Sequence, residues 1–299
     1  MNNHKKINQI LDNLNITSEY KTLNLNLNKK IIIPKNNQFI LKIAMGEYAI
    51  KLAQNENNGY INKEITDLIN LPNYSKLHDD NEFFISKIEF LGKKKGSYFH
   101  ADKFYNFNNC YTQDSFIKTH LYFRYLLNKY KTNLISANIK FLNKEFFIFE
   151  NFHGNLELPL KISHGDFVHW NTLIFKGKFY SFDLERFDKN RIIYFDLLSW
   201  YIMPIYERIY KMKKLNLNIL FKLILFKLFI FFIKKKLVYS KKIFLHILFF
   251  FFIEKKMQFD EINNLFNKIK VVDSNYFHKN KLFGEITNFA LKNLIKLKI

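Results

Sequence analysis

The chain has 299 residues, 48% of them hydrophobic, and a formal net charge of +21 from 47 Lys and Arg against 26 Asp and Glu. One cysteine, Cys110, excludes an internal disulfide framework and any multi-cysteine zinc site, and it points to a reducing compartment and a cytoplasmic location. The excess charge is mostly lysine spread along an Asn-, Ile- and Phe-rich chain, so it reads as compositional drift, and no nucleic-acid partner is expected.

Met1–Leu14 is polar and lacks the apolar run of a signal peptide. Ile31-Ile32-Ile33 reads as a strand halted by Pro34, Gln38–Ala44 as a second strand, and Gly46 as a turn or a helix start. Over residues 60–71, Ile61, Ile65, Leu68 and Ile69 share one helical face, and Pro72 ends the helix. Phe83–Leu91 and Ser97–Phe104 read as strands joined at Gly92–Gly96, with Lys93, Lys94 and Lys95 at the tip. Ser115–Lys131 reads as a helix capped by Ser115, with Phe116, His120, Phe123 and Leu127 on one face. Phe146–Phe149 reads as a short strand and His153-Gly154 as a turn.

From Ile192 onward the pattern is mostly helical. Ile219–Ile233 and Ile243–Ile253 are apolar, but they fall short of the roughly 20 residues a membrane span needs. Lys222, Lys227 and His246 interrupt them, so both read as buried helices, with peripheral membrane contact as the alternative. The Phe249–Phe252 run reads as core or oligomer surface before it reads as a ligand box. The chain thus divides into a small mixed lobe, residues 1–105, and a larger, mainly helical lobe, residues 106–299, meeting near residues 104–110.

The chemistry concentrates in Ser163–Asp188, SHGDFVHWNTLIFKGKFYSFDLERFD. Asp166 and Asn171 stand in the spacing D-x-x-x-x-N after His164-Gly165. A phosphoryl-transfer enzyme needs an oxygen base near the acceptor hydroxyl and hard oxygen ligands for magnesium, and such a loop can supply both. The apolar runs Thr172–Phe175 and Phe179–Phe182 flank the turn Lys176-Gly177-Lys178, a hairpin that would return Asp183 beside Asn171. Glu185 follows, and in extended chain it points the same way as Asp183, able to join a metal site directly or through water.

HGDFVHWN followed by SFDLE resembles the signature of the aminoglycoside phosphotransferase and choline kinase-like family. The resemblance is sharp from Ser163 to Trp200. It implies an α+β, two-lobed protein-kinase-like fold, ATP and Mg2+ as cofactors, and phosphorylation of a hydroxyl on a small molecule. It implies Asp166 as catalytic base and Asn171 and Asp183 as metal ligands, with residues 1–105 covering the nucleotide and residues 106–299 holding catalytic and substrate groups. Asp196 in YFDLLSW resembles the aspartate that opens the helix after the metal loop, and it and His164 read as support for the catalytic loop.

The sequence departs from that pattern at His169, where related enzymes often have Pro, and it contains no G-x-G-x-x-G. A kinase-like lobe also needs a strand lysine for the phosphates and a helix carboxylate to hold it. Lys42 in FILKIA is the first choice, with Lys51 the alternative if residues 39–53 form a hairpin. Glu64 is the preferred carboxylate, with Glu56 behind it. The acceptor stays open among a sugar, an amino alcohol and a cell-surface precursor, held against the helices after Asp196. Two other readings are a non-catalytic kinase-like binding module and a basic, membrane-peripheral interaction protein.

Overall fold

The computed structural model describes residues 3–13, 20–25, 29–34, 38–92, 115–211, 225–226, 228–232, 240–269 and 274–296. In chain order the elements are α1 (Asn3–Asn13), β1 (Tyr20–Leu25), β2 (Lys29–Pro34), β3 (Phe39–Met45), α2 (Glu47–Tyr60), α3 (Lys63–Leu68), β4 (Tyr74–Asp79) and β5 (Phe83–Glu89). There follow β6 (Phe116–Lys118), α4 (Thr119–Tyr130), α5 (Ser136–His153), β7 (Glu157–Ser163), a 3-10 turn (His169–Asn171), β8 (Thr172–Phe175), β9 (Lys178–Ser181) and β10 (Asp188–Ile192). Helices α6 (Phe195–Lys211), α7 (Lys241–Ile269) and α8 (Ser274–Ile295) complete the sequence of elements. The expected strand Ser97–Phe104, the lysine-tipped turn, the lobe boundary near residues 104–110 and Cys110 lie outside the described residues.

The chain forms two compact units: one of Met1–His100 with Trp170–Phe187, the other of Ala101–His169 with Asp188–Ile299. The first unit carries an antiparallel five-stranded sheet in the order β1-β2-β3-β5-β4. Side chains alternate across a strand, so β3 serves two faces. Leu41 and Ile43 pack with Ile32, Phe83, Ile85 and the α1 residues Ile7 and Leu11. Ala44, on the opposite face, packs with Phe84 and the α2 residues Ala49, Ile50 and Ala53. Lys42 shares that second face by the same period of two.

The helix expected over residues 60–71 is shorter and starts later. Helix α2 runs to Tyr60, Ile61 is its C-cap and is 68% exposed, and Asn62 caps α3 by accepting from Ile65 N at 3.2 Å. Ile65 and Ile69 are buried as the apolar spacing required, but α3 ends at Leu68, well before Pro72. The segment 39–53 is a strand followed by a helix, so Lys51 lies exposed on α2 and the hairpin alternative does not hold.

In the second unit β7 is the middle strand of an antiparallel sheet, β10-β7-β6. Ser115 does not cap a helix: Phe116–Lys118 pairs with β7, Lys118 precedes α4, and Phe116 is 60% exposed. The buried face of α4 is Thr119, Tyr122, Phe123, Leu126 and Tyr130. Phe146–Phe149 belongs to α5 rather than a strand, because Phe146 and Phe149 repeat at helical spacing with buried Leu142, Glu145 and His153.

Gly154 ends α5 at φ 69°, as its place in the expected turn required. The Phe249–Phe252 run is interior: Phe249 stacks on Phe149 with centroids 3.8 Å apart, Phe250 meets Tyr122 edge-on, and Phe251 lies against Phe195. Part of the Ile219–Ile233 run is described, and residues 225–226 and 228–232 are helical. Among the described residues no helix is long and apolar enough to cross a membrane.

Candidate active site

In the first unit, Lys42 stands on β3 opposite Ser86 of β5, on the face that α2 covers. Its Nζ donates to both oxygens of Glu56 at 3.0 and 2.9 Å, to Asp183 Oδ1 at 2.8 Å and to Glu185 Oε1 at 3.4 Å. The helix carboxylate that meets Lys42 is therefore Glu56, not Glu64. Glu56 lies on the buried face of α2, the helix laid directly on the sheet, whereas Glu64 sits in the exposed first turn of α3. Burial pulls the Lys42 pKa down, but Asp183, Glu56 and Glu185 outweigh it and hold the pKa well above the ordinary value. Burial pushes the Glu56 carboxyl up to about 7, against the pull of Lys42.

The hairpin β8–β9 delivers Asp183. Thr172 pairs with Ser181, and Phe182 N donates to Asn171 O at 3.0 Å, so the backbone bearing Asp183 runs next to Asn171. Asn171 is buried and its carbonyl also accepts from Ser181 Oγ at 3.2 Å. Asp183 adopts φ 70°, a left-handed conformation that a β-carbon disfavours and Asp tolerates better than most residues. Strain of this kind persists where the surroundings fix it. Here Asn55 of α2 donates to Glu185 O and Phe187 O, both at 2.9 Å, and Arg186 donates to Tyr48 Oη at 3.0 Å. Gly59 allows the close approach: a β-carbon there would lie 3.0 Å from Leu184 Cβ and 3.2 Å from Phe187 Cγ.

Glu56, Asp183 and Glu185 each place a carboxylate oxygen within 4.8 Å of the others. Hard oxygens at this spacing suit Mg2+ or Ca2+ rather than a thiolate-seeking metal. Lys42 takes up both Glu56 oxygens and also reaches Asp183 Oδ1 and Glu185 Oε1, so a cation here would share Asp183 and Glu185 with this lysine.

In the second unit, the residues after β7 are held by one carboxylate. Asp196 Oδ1 accepts from Ser163 Oγ and Gly165 N, both at 2.9 Å, and Oδ2 accepts from His164 N at 2.8 Å. Gly165 takes φ 83°, which turns consecutive amides toward Asp196. Helix α6 begins at Phe195, so Asp196 lies inside the first turn and serves the loop rather than capping its own helix. His164 is buried, and its Nδ1 accepts from Asp166 N at 3.3 Å. The Asp166 side chain is 33% exposed, and Lys255 Nζ of α7 approaches its Oδ1 and Gly165 O, each at 3.4 Å.

Behind this loop, Arg191 of β10 donates to Glu254 Oε1 from Nε at 3.0 Å and from Nη2 at 2.8 Å, and to Ser163 Oγ from Nη1 at 3.2 Å. Tyr130 Oη adds a donor to the same Glu254 oxygen at 3.1 Å. Burial opposes the ionised form of both groups, yet each holds the other ionised, so Arg191 is raised above and Glu254 lowered below its ordinary range. Lys29, Asn55, Arg191, Glu254 and Lys255 carry no local motif. Only Glu254-Lys255, a charged pair following an apolar run, could have drawn notice in the sequence.

No family profile and no curated protein matches the sequence. Solved structures do match the fold. Choline kinase LicA from Streptococcus pneumoniae superposes with TM-score 0.55 at 13% identity, covering 97% of this chain and 98% of that one. The amicoumacin kinase hAmiN, solved with AMP-PNP, Ca2+ and Ami, gives TM-score 0.52 at 12% identity, with 97% and 96% covered. The chain therefore has the α+β protein-kinase-like fold of the aminoglycoside phosphotransferase and choline kinase-like proteins.

Proposed function

We propose that this chain is a small-molecule kinase, moving the γ-phosphoryl group of ATP to a hydroxyl of a small acceptor with a divalent cation. The observation that carries the reading is Lys42, held by Glu56 on one side and by Asp183 on the other, from three separate stretches of sequence. A phosphate-holding lysine needs this arrangement: a carboxylate that fixes its direction and a charge that is exchangeable when a phosphate arrives.

In this reading Lys42 binds phosphate oxygens and Glu56 orients it. Asp183 and the Asn171 amide hold Mg2+, with Glu185 as a third donor, direct or through water. A bound Mg2+ supplies charge neutralisation on the transferring phosphate. Asp166 accepts the proton of the acceptor hydroxyl. His164 and Asp196 fix the loop that presents Asp166, so the base is oriented before substrate arrives.

The test is a coupled ADP-release screen with MgATP over choline, ethanolamine, sugars and aminoglycosides, on the wild type and Asp166→Asn. Acceptor-dependent ADP release is expected, falling by about 10²–10⁴-fold in Asp166→Asn, the usual scale for a general base, with ATP affinity kept. Unchanged turnover in that variant rules out Asp166 as the base. MgATP binding with no turnover on any acceptor would instead favour a nucleotide-binding module.

A further inference from the structure

The sequence offers no glycine-rich loop to wrap a nucleotide tail, and the described residues place a second lysine in the Lys42 cluster instead. Lys29 opens β2 and pairs with Ala44 of β3, while Ile31 pairs with Lys42. Directly paired residues share a face, and Ala44 shares its face with Lys42, so Lys29 and Lys42 are diagonal neighbours on the α2 side of the sheet.

Their ammonium groups meet the two oxygens of one carboxylate: Lys29 Nζ contacts Glu185 Oε2, and Lys42 Nζ lies 3.4 Å from Glu185 Oε1. All three side chains are mostly buried, with 13% exposure for Lys29, 16% for Lys42 and 15% for Glu185. A lysine removed this far from water needs an anionic partner. Lys42 has Glu56 and Asp183 as well, but the ion pair of Lys29 is with Glu185.

We propose that Lys29 is a second phosphate-binding lysine, held ready by Glu185 and transferred to the phosphate oxygens of the nucleotide when they enter. This rests on the nucleotide-binding reading above. Glu185 is then the clasp of two cations: without nucleotide it spaces two ammonium groups that would otherwise repel, and with nucleotide it yields them. The chemistry recognised is the polyphosphate tail, not the nucleoside.

The experiment is calorimetric titration of MgAMP-PNP and, separately, adenosine into the full chain as wild type, Lys29→Met and Lys29→Arg. Lys29→Met should bind MgAMP-PNP about tenfold to a hundredfold more weakly, the scale of one hydrogen bond to a charged group. Its adenosine affinity should not change, and Lys29→Arg should recover most of the loss.

Equal MgAMP-PNP affinity in wild type and Lys29→Met overturns the assignment. So does a matching loss for adenosine, which marks a purely architectural lysine. A wild type that binds adenosine but not MgAMP-PNP overturns it together with the kinase reading. An ATP acyl-phosphate probe gives a second measurement on the unaltered protein. A lysine near the phosphates attacks the acyl carbon, forming an amide and releasing ATP. Adducts are expected on both Lys29 and Lys42, and an adduct on Lys42 alone overturns the proposal.

Discussion

In the first unit the Lys42 ammonium lies among Glu56, Asp183 and Glu185, and the Asp183 side chain keeps 35% of its surface exposed. In the second unit Arg191 and Glu254 are both fully buried, and the guanidinium is spread over the Phe195 ring at 4.5 Å. The residue types follow the tasks. A lysine is a point charge on a flexible stem and can change partners, while an arginine presents a planar fork whose donors are fixed in direction. In the proposed kinase reading, the cluster around Lys42 is one that an incoming anion redistributes. The Arg191 guanidinium is held by Glu254 and Ser163, and through Ser163 it reaches the same Asp196 that holds His164 and Gly165.

The largest effect that would test this contrast is on stability. Glu254→Gln leaves the buried Arg191 without its counter-charge, and breaking a buried pair of this kind costs about 3–5 kcal/mol. Asp183→Asn, at a side chain 35% exposed, leaves Lys42 with Glu56 and Glu185 and Lys29 with Glu185, and should cost under about 1 kcal/mol. Urea unfolding of both variants against wild type measures the difference. Losses of equal size would mean that the two clusters are equally rigid, and the contrast would fail.

A smaller effect comes from acid. Asp188 is buried, yet its pKa is lowered from 3.8 to about 2, because Lys129, Arg191 and the Asn190 amide outweigh the burial that would raise it. A carboxylate depressed in the folded state contributes stability that is present above its unfolded pKa and lost as pH falls through the folded value. The window is therefore from about pH 4 down to about pH 2, and the contribution is about 2 kcal/mol at 1.36 kcal/mol per unit. Denaturant unfolding of wild type and Asp188→Asn at pH 6 and pH 2 checks it. The gap between the two proteins should narrow by about that amount at the lower pH. A gap independent of pH would show that Asp188 acts through neutral hydrogen bonds, such as those from Tyr125 Oη at 2.9 Å.

The two clusters were not equally visible in the sequence. Asn171 and Asp183 stand at the two ends of a tight hairpin, so their spacing alone carries geometry. The β3 lysine was readable because an alternating strand puts one charged residue among apolar ones. Glu56 was hidden because it lies within the buried face of α2, between Ala49, Ile50, Leu52 and Ala53 on one side and Gly59 and Tyr60 on the other, where an apolar residue would be expected.

Phe146–Phe149 misled in the opposite direction, since a short aromatic run has strand-like composition whatever its real period. Ser115 misled because a good capping residue also suits the start of an edge strand. Lys29 finds Glu185 156 residues away, and Arg191 and Glu254 are 63 residues apart, and no local pattern announces such pairings. The +21 charge also hid Lys29 and Lys255 among many ordinary surface lysines.

The smallest expected effect separates the two helix carboxylates. Glu64→Gln changes an exposed residue of α3 and should alter stability by less than about 0.5 kcal/mol and leave MgAMP-PNP affinity as in wild type. Glu56→Gln keeps the shape but removes the charge that directs Lys42, so the ammonium turns toward Asp183 and Glu185 and meets a phosphate less favourably. MgAMP-PNP should then bind roughly tenfold more weakly, by the loss of one charged contact. Titrating both variants side by side decides which carboxylate serves the nucleotide. A loss confined to Glu64→Gln would mean that α3, not α2, carries the functional glutamate, and that the Lys42–Glu56 pair only ties the helix to the sheet.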